Sequence, residues 1–573
     1  MLVGCARQER KPHGETAAAS VHQWLHYLWR LAICLLPLGL LGVSQVHGGE
    51  IHEIIRAKVE QIRAGRALVG PVRVASSALV PLVYEARGFA PAWGDGRRRD
   101  DFIKFLSEVG REGLQPEDYH FSDLVELREE FRLQPDPETA KLAQWDLLLT
   151  DSLIVLVNHL LLGKVDPLTL HPEWNFARRT GHEDPLPLVR EIMEAEDIDE
   201  FLRRLLPAHP FYLRLKEALA AYRAIAAAGG WGRIGEGETL RLGMSGERVG
   251  QLIRRLAVSG DYAGDVPQTP VFDWPVGEAV KRFQDRHGLE ADGLVGPRTL
   301  AELNVTVAER IGQIRVNLER MRWFLHDMPE EVLIVDIAGF RACLFRNGEM
   351  IWSARVQVGK PYRETPSFRS RIDYLVVNPD WTLPPTIVAE DTIPAILADP
   401  GYLAKNSISV LDHRGRRIDP AAIDWSRYRK AKFPYLLRQE PGPRNPLGRV
   451  KFIFPNPHAV FLHDTPSRYL FQKSERTFSS GCIRIERPFE LADYLLESTS
   501  AIGMVKLREA LDSGKTRTVF LPRPMPILLL YWTAQVGKDG AINFKRDIYG
   551  RDSLLLQALD RKLTLINGAW RSY

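Results

Sequence analysis

Cysteine is scarce in this chain, with four residues in 573. Cys5 and Cys34 lie in or before an apolar segment near the N terminus, which leaves Cys343 and Cys482 for the folded part. Two lone cysteines form no disulfide framework, so the class of small disulfide-stapled folds is excluded. Cys343 lies in an alternating, strand-like stretch at residues 340–345, where we expect it to be buried and inert.

An excess of charge of either sign is also lacking. Lysine and arginine (76) nearly balance aspartate and glutamate (72), and the net charge of +4 indicates no nucleic-acid partner. With 45% hydrophobic and 26% charged residues, the composition is that of a globular protein, neither disordered nor multiply membrane-spanning. A chain of this length is too long for one core, and about three domains are expected.

The N-terminal segment has the pattern of an export sequence. Residues 1–21 are polar and basic, residues 31–43 are apolar, and small residues follow. Counting from Trp24, the apolar stretch reaches the length of ~20 residues that a spanning helix needs. We therefore expect residues 1–49 to be either a cleaved export signal or an uncleaved anchor, with residues 24–43 at the inner-membrane surface in the second case. In both cases the remainder is exported.

The stretch from His463 to Arg484 carries the strongest chemical signal. It contains His-Asp-Thr-Pro and then Ser-Ser-Gly-Cys-Ile-Arg, so a hairpin could bring the histidine to the cysteine. A nucleophilic thiolate needs a base within reach and free backbone N–H groups for an oxyanion. Gly481 would allow close approach of a substrate carbonyl. By itself, however, a cysteine beside a glycine is more often core filler or a turn residue.

These two motifs resemble the active-site signature of the L,D-transpeptidases, the YkuD-type cysteine enzymes of peptidoglycan cross-linking. That family usually has Ser-His-Gly-Cys, and this chain has Ser480 at the position of the second histidine. The large periplasmic, YcbB-like subgroup also has Ser-Ser-Gly-Cys, so the departure indicates that subgroup. The resemblance implies a periplasmic location, no cofactor and no metal.

The resemblance also implies roles for the residues of the motif. Cys482 is the nucleophile, His463 is the base and then the acid, and the main-chain carbonyl of Asp464 orients the imidazole. The N–H groups of Cys482 and of either Ser480 or Gly481 would form the oxyanion hole.

Two further residues of the motif are candidates for substrate binding. Arg484 alternates to the same face as Cys482 on a strand and would hold a stem carboxylate or support the turn. Ser479 precedes the turn and is a second candidate for contact with the substrate.

Two segments precede the catalytic part. Residues 50–235 have helical spacing and no catalytic grouping, and they resemble the scaffold domain of the large subgroup. Residues 236–305 contain Ala-Val-x-x-Phe-Gln, Gly-Leu and Asp-Gly-x-Val-Gly-x-x-Thr, which resembles the three-helix peptidoglycan-binding domain. We expect Asp292, Gly293 and Thr299 to shape turns and caps rather than to touch ligand; a spacer that no longer binds glycan remains an alternative.

The sequence thus predicts a multidomain α+β protein with a mostly-β, YkuD-like catalytic domain over residues 306–515. Residues 386–445 do not have the pattern of a sheet and are too long for a plain connection, so we expect an inserted lid. Trp425 and Tyr428 in this lid are candidates for ligand contact, and an exposed structural pair is the alternative. Residues 516–573 are expected to complete the sheet and pack against the site, with no chemistry of their own.

The implied reaction joins two peptidoglycan stems. A tetrapeptide stem would lose its terminal D-Ala, and its acyl group would pass to a diamino-acid side chain of a neighbouring stem, giving a 3→3 cross-link. Acylation of Cys482 by carbapenems is implied as well. The alternatives are hydrolysis of the same bond by an L,D-carboxypeptidase and a non-catalytic wall-binding anchor. A zinc site of His458, His463 and Cys482 is disfavoured, because a spacing of five on a strand places the two histidines on opposite faces.

Overall fold

The structure is a computed structural model that describes residues 45–134, 137–172, 175–176, 186–429, 432–496 and 501–562. The apolar segment 24–43, which the sequence assigns to an export signal or an anchor, lies outside the described residues. The chain divides into two compact units after Glu50, and apart from the start of the first helix the second unit contains all the features that follow. Within the described ranges, one helix (Thr139–Leu162) is long and apolar enough to cross a membrane, but 83% of its apolar window is buried inside the protein, as in a core helix.

The first part of the chain is helical, as its periodicity predicts. Its central helix is buried on nearly all sides, and the carboxylates of Asp146 and Asp151 accept backbone N–H groups of Ala92 and Ser76 from the surrounding loops. The helices are α1 (Gln45–Arg63), α2 (Leu79–Ala86), α3 (Gly96–Glu108), α4 (Phe121–Leu133), α5 (Thr139–Leu162), α6 (Leu186–Glu194), α7 (Ile198–Arg204) and α8 (Pro210–Ala227), with a short hairpin of β1 (Leu68–Val69) and β2 (Val72–Arg73) after α1.

Three helices form a small domain after the first helical part: α9 (Glu247–Val258), α10 (Trp274–Arg286) and α11 (Pro297–Leu303). They enclose a small apolar core of their own. The buried side chain of Gln284 donates to Asp292 Oδ1 at 2.8 Å and to Thr299 Oγ1 at 3.1 Å, and its carbonyl accepts the N–H of Gly293 at 2.9 Å. These three residues therefore shape a turn, as expected from the sequence.

Helix α12 (Val307–Arg322) connects the helical parts to the sheet. Thr306 and Glu309 start it with reciprocal side-chain-to-backbone hydrogen bonds, a capping box. At its far end the fully buried Arg322 pairs with Glu319, and it donates to the carbonyl of Glu112 at 2.8 Å. Because a buried charge is tolerated only when it is paired, this network fixes α12 against the helical domain.

The predicted catalytic domain is built on one sheet of nine described strands, in the order β13-β5-β14-β12-β11-β6-β15-β3-β4. β4 also pairs with β5, so the sheet closes on itself around an apolar interior. The strands are β3 (Glu331–Asp336), β4 (Arg341–Arg346), β5 (Glu349–Gly359), β6 (Phe368–Val377), β11 (Val450–Ile453), β12 (Leu462–His463), β13 (Thr477–Ser479), β14 (Ile483–Ile485) and β15 (Arg517–Leu530). Helices α16 (Pro488–Leu496) and α17 (Ala501–Asp512) follow β14. The multidomain α+β class predicted from the sequence is confirmed.

The outer face of this sheet shares a core with the helical domain. Leu333 and Leu529 point into the interior of the sheet, whereas the alternate residues Ile334 and Leu528 join the core of the helices. This alternation follows from the two-residue period of a strand. The two domains are therefore packed through one continuous apolar cluster.

The inserted segment contains a sheet, so the expectation that it has none is wrong. Its strands pair in the order β7-β10-β8-β9. They are β7 (Trp381–Thr382), β8 (Ile408–Leu411), β9 (Arg417–Ile418) and β10 (Leu436–Gln439), with short helices α13 (Pro385–Ile387), α14 (Ile393–Ala398) and α15 (Tyr402–Lys405) and a π-helical turn at Val388–Thr392. The segment has an apolar core of its own, so it folds as a small separate unit, which we call the lid.

The C-terminal extension supplies a central strand of the large sheet, β15, which pairs with β6 and β3. A separate hairpin of β16 (Ala534–Val536) and β17 (Ile542–Phe544) and helix α18 (Arg551–Asp560) follow.

Candidate active site

Two adjacent strands bring the histidine and the cysteine of the motif together. β12 and β14 are parallel neighbours, with Leu462 opposite Ile483 and His463 opposite Arg484. The expected hairpin, which would pair the strands antiparallel, is therefore wrong. In this register Cys482, Arg484 and His463 share one face of the sheet, because side chains alternate along a strand.

The ring of His463 is buried, and a main-chain carbonyl orients it. Its Nδ1 lies 2.5 Å from the main-chain oxygen of Asp464. Since a carbonyl can only accept, Nδ1 carries the proton, and the lone pair of the neutral ring lies on Nε2. Burial, and then the positive charge of Arg484, lowers the pKa of His463 from 6.5 to about 3. The imidazole is therefore neutral at pH 7.

The carboxylate of Asp464 points away from this ring. Its Oδ2 accepts the backbone N–H of Arg449 at 2.9 Å, and its Oδ1 lies 3.4 Å from the guanidinium of Arg468. Gly448, with φ +63°, has no Cβ and leaves the space that this carboxylate occupies. The side chain of Asp464 thus anchors the loop, while its main chain contacts the histidine.

The thiol of Cys482 is half-buried. Its Sγ lies 3.7 Å from the main-chain oxygen of Ala459. Burial raises the pKa of this thiol above its ordinary value, while the N–H of Phe461 and the charges of Lys451 and Arg484 oppose the rise. At rest the site therefore holds a protonated thiol and a neutral imidazole on the same face of the sheet.

Two buried hydroxyl groups hold the turn before Cys482 by hydrogen bonds to its backbone. Ser479 is buried, and its hydroxyl donates to the carbonyl of Cys482 at 2.5 Å and accepts the N–H of Gly481 at 3.2 Å. Thr365 donates to the carbonyl of Gly481 at 2.8 Å. Gly481 has φ +107°, a conformation that favours glycine.

The turn leaves two backbone donors available. The N–H groups of Cys482 and Ser480 have no acceptor within the described part of the chain. The N–H of Gly481 is bound to Ser479, so Ser480 is the better placed of the two expected partners of Cys482.

Two cations line the same face of the sheet. Arg484 donates to Oε1 of Gln357 at 3.3 Å, and its buried Nε has no partner among the described residues. Lys451 stands opposite His463 on β11, with its ammonium 3.6 Å from the centre of the Phe461 ring. Burial lowers the pKa of both cations, which the negative charge of a Cys482 thiolate would raise. The site is electropositive and suited to an anionic group.

Trp425 and Tyr428 pack into the lid's own aromatic cluster. The Trp425 ring stacks on Phe433 at 5.2 Å and the Tyr428 ring meets Phe433 edge-on at 5.3 Å. The Trp425 indole donates to the carbonyl of Pro420 at 3.1 Å. Both residues are half-buried and packed within the lid, which fits the structural alternative, while contact with a ligand stays a prediction.

Sequence reasoning missed four residues around the turn: Lys451, Arg363, Thr365 and Tyr549. Thr365 forms a Thr-Pro pair with Pro366, and Lys451 lies in a strand-like stretch at residues 448–454, so both had a local signal. Arg363 and Tyr549 had none. Arg363 donates to Ser480 Oγ at 2.8 Å across 117 positions, and Tyr549 donates to the carbonyl of Gly359 at 2.8 Å across 190 positions.

Comparison with known families covers most of this architecture. Residues 330–506 match the family described as "L,D-transpeptidase catalytic domain". The chain contains a YkuD-type L,D-transpeptidase catalytic domain. Residues 78–219 match the "Scaffold domain" that accompanies it here, and residues 245–303 match a family described as "Putative peptidoglycan binding domain". The YkuD domain includes the turn, both strands and the lid described above.

One curated relative is the "Putative L,D-transpeptidase" of Haemophilus influenzae, which is 36% identical over 256 residues, or 44% of this chain and 50% of that protein. The chain thus matches about half the length of this relative. Solved L,D-transpeptidases of Xylanimonas cellulosilytica (13% identity, TM-score 0.17, 52% of this chain and 99% of that chain) and Stackebrandtia nassauensis (15%, 0.20, 51% and 94%) are also similar.

Proposed function

We propose that this protein is a peptidoglycan L,D-transpeptidase whose nucleophile is Cys482. One observation carries the proposal: the motif's thiol and a neutral, oriented imidazole lie on adjacent parallel strands, inside the YkuD domain. We further propose that the chain works in the periplasm, since its substrate is the cell wall and residues 31–43 have the pattern of an export sequence.

Acylation begins from the neutral pair. Cys482 Sγ attacks the carbonyl carbon of the L,D bond in a tetrapeptide stem while its proton passes to Nε2 of His463. The C–N bond to the terminal D-Ala then breaks, and the same proton goes to the leaving amine. The products are free D-Ala and a thioester on Cys482. A neutral starting pair suits this sequence, because the histidine must accept a proton at the start.

Deacylation repeats these steps with a different amine. The side-chain amine of a diamino acid on a second stem attacks the thioester carbon and gives its proton to His463. The C–S bond breaks, the thiol recovers the proton, and a 3→3 cross-link remains. Water in place of this amine would give the carboxypeptidase reaction. We favour transfer because the lid would limit the access of water.

Charge placement supports the binding of the intermediate and of the stem. The N–H groups of Cys482 and Ser480 would hold the oxyanion, since neither has an internal acceptor in the described ranges. Arg484 and Lys451 have no carboxylate partner within 4 Å among the described residues, so either can take a stem carboxylate. Ser479, by contrast, would act through the shape of the turn rather than by contact with substrate.

Mass spectrometry and product analysis test the proposal. The full chain is incubated with disaccharide-tetrapeptide and, separately, with a carbapenem. We expect D-Ala release, a cross-linked dimer and a covalent adduct on the peptide that contains Cys482. Cys482→Ala abolishes all three. The matched control Cys343→Ala changes none, because Cys343 lies on β4 with its pKa raised to about 11 by burial.

The alternatives give different products. Monomeric tripeptide without dimer would identify a carboxypeptidase. An unmodified Cys482 and an unchanged substrate would leave a wall-binding anchor, and activity lost on chelation would favour the zinc site.

A further inference from the structure

Arg363 lies where three segments meet. Its Nη1 donates to Ser480 Oγ at 2.8 Å and to Asp391 Oδ2 at 2.7 Å, and its Nη2 donates to Glu390. Ser480 belongs to the turn before Cys482, whereas Glu390 and Asp391 belong to the π-helical turn of the lid. One guanidinium thus joins the lid to the catalytic turn.

The ion pairs between Arg363 and the lid are weak because the lid carboxylates are exposed. The side chains of Glu390 and Asp391 are 59% and 55% exposed, whereas that of Arg363 is 14% exposed. Ion pairs with so much solvent access contribute little to stability and are screened by salt. They can therefore form and break as the lid moves, while Arg363 stays on the body of the domain.

The turn end of the contact bears on catalysis. Nη1 is shared, so its direction depends on both the Asp391 carboxylate and the Ser480 hydroxyl. Ser480 also supplies one of the two N–H groups assigned to the oxyanion. When the ion pairs with Glu390 and Asp391 break, the guanidinium of Arg363 loses the partners that fix its orientation. Its hydrogen bond to the Ser480 hydroxyl is then weaker.

We propose that Arg363 is a positioning residue that couples lid engagement to the alignment of the Ser480–Cys482 turn. The inference rests on the proposed function, because it concerns how the acylation step at Cys482 is controlled. When Glu390 and Asp391 pair with Arg363, they fix the position of its guanidinium. The guanidinium in turn fixes the Ser480 hydroxyl by its hydrogen bond. A closed lid and a formed oxyanion hole are then one event.

The test compares acylation rates at two salt concentrations. The full chain is mixed with a carbapenem in 0.05 M and 0.5 M NaCl, and the Cys482 adduct is followed by quenched-flow mass spectrometry. We expect the wild-type rate to fall several-fold at high salt. The double variant E390Q/D391N should be several-fold slower than the wild type at low salt, and its rate should fall by a smaller factor at high salt than that of the wild type. R363K should resemble it, because an ammonium cannot serve the two carboxylates and the hydroxyl together.

The matched control is Lys405→Gln, which removes another exposed lid ion pair, with Asp399 at 2.7 Å. It should keep the wild-type rate and salt dependence. Ser480→Ala provides a second arm: its effect and that of E390Q/D391N should be non-additive, since both break the same chain of contacts.

The outcomes separate the inference from the function. A wild-type chain that forms no adduct contradicts the proposed function. A wild type that is acylated while E390Q/D391N follows it at both salt concentrations overturns only the role of Arg363. An additive result with Ser480→Ala overturns it as well. The amide variants are nearly isosteric at exposed positions, so a folded protein is available for each comparison.

Discussion

The protonation of the two reacting side chains is set by burial, which acts on both in the direction of neutrality. It lowers the pKa of His463 to about 3 and raises that of the Cys482 thiol. The histidine is neutral above its folded pKa, and the thiol keeps its proton until the pH exceeds its own. A preformed thiolate–imidazolium pair is therefore not the resting state at pH 7.

This arrangement predicts an unusual pH dependence. The acid limb of kcat/KM should lie well below pH 6.5, and alkylation of Cys482 by iodoacetamide should still be rising above pH 9. Peptide mass spectrometry against pH measures the second quantity at Cys482 alone. A reactivity plateau below pH 8 would show that the thiolate forms early and would contradict the prediction.

The two reacting residues could be predicted from the sequence, whereas the residues that hold the catalytic turn in place could not. Cys482 and His463 stand out because rare residue types occur in a specific local motif. Tyr549 and Arg363 do not, since each acts through a hydrogen bond to a residue more than 100 positions away. Such contacts depend on how loops pass one another, which local spacing does not encode.

The loop at residues 360–365 is the element that carries support from the C-terminal extension to the catalytic turn. The Tyr549 hydroxyl donates to the carbonyl of Gly359 at 2.8 Å and accepts the N–H of Thr365 at 3.2 Å. Thr365 in turn donates to the carbonyl of Gly481. The extension thus has a positioning role beyond completing the sheet, although it supplies no reacting group.

Removing this hydroxyl should affect the chemical step more than binding. Tyr549→Phe keeps the stacking on Tyr531, whose ring lies 5.5 Å away, and loses about 1 kcal/mol of hydrogen bonding. We expect kcat to fall about five-fold with KM nearly unchanged. Tyr494→Phe on α16 is the control and should retain wild-type values. A change in KM alone for Tyr549→Phe would assign Tyr549 to substrate binding instead.

Some strands could not be predicted from the sequence because they are short or interrupted by proline. β8 and β10 have four residues each and pair with each other and with the two-residue strands β9 and β7, so no strand of the lid is long enough to give a clear sequence pattern. Pro522, Pro524 and Pro526 interrupt the stretch that forms β15, so its sequence does not have the pattern of one continuous strand. A register irregularity between Phe520 and Met525 accommodates them within one strand.

Across the whole molecule, the domains could be predicted but their docking could not. Each domain has its own periodicity and motif, whereas the shared core of the sheet and helices depends on which strand face is left uncovered. The three-helix domain docks on the β16–β17 hairpin in the same unpredicted way. Arg286 donates to the carbonyl of Ile542 at 3.2 Å, and the His287 ring lies 5.7 Å from that of Phe544.

This second interface contains a buried, neutral histidine. His287 stacks on Phe283 at 3.8 Å, and its Nδ1 lies 2.7 Å from the carbonyl oxygen of the same residue. Burial, and then the charges of Arg286 and Arg310, hold the pKa of His287 well below 6.5. Since the unfolded chain takes up this proton first, the stabilisation is present above pH 6.5 and is lost as the pH falls below it. The loss approaches about 1.4 kcal/mol per pH unit for this one group.

Acidification should therefore loosen the three-helix domain from the hairpin. Between pH 7 and pH 5 we expect amide hydrogen exchange, corrected for its intrinsic pH dependence, to rise in α10 and in β16–β17. His287→Phe, which keeps an aromatic ring but cannot titrate, should flatten this change. His413→Phe, at an exposed turn of the lid, should leave it as in the wild type. Other buried histidines and carboxyls are common to all three proteins, so the difference between variants isolates position 287. Equal pH dependence in His287→Phe and the wild type would show that the docking is held by Arg286 and the apolar contacts alone.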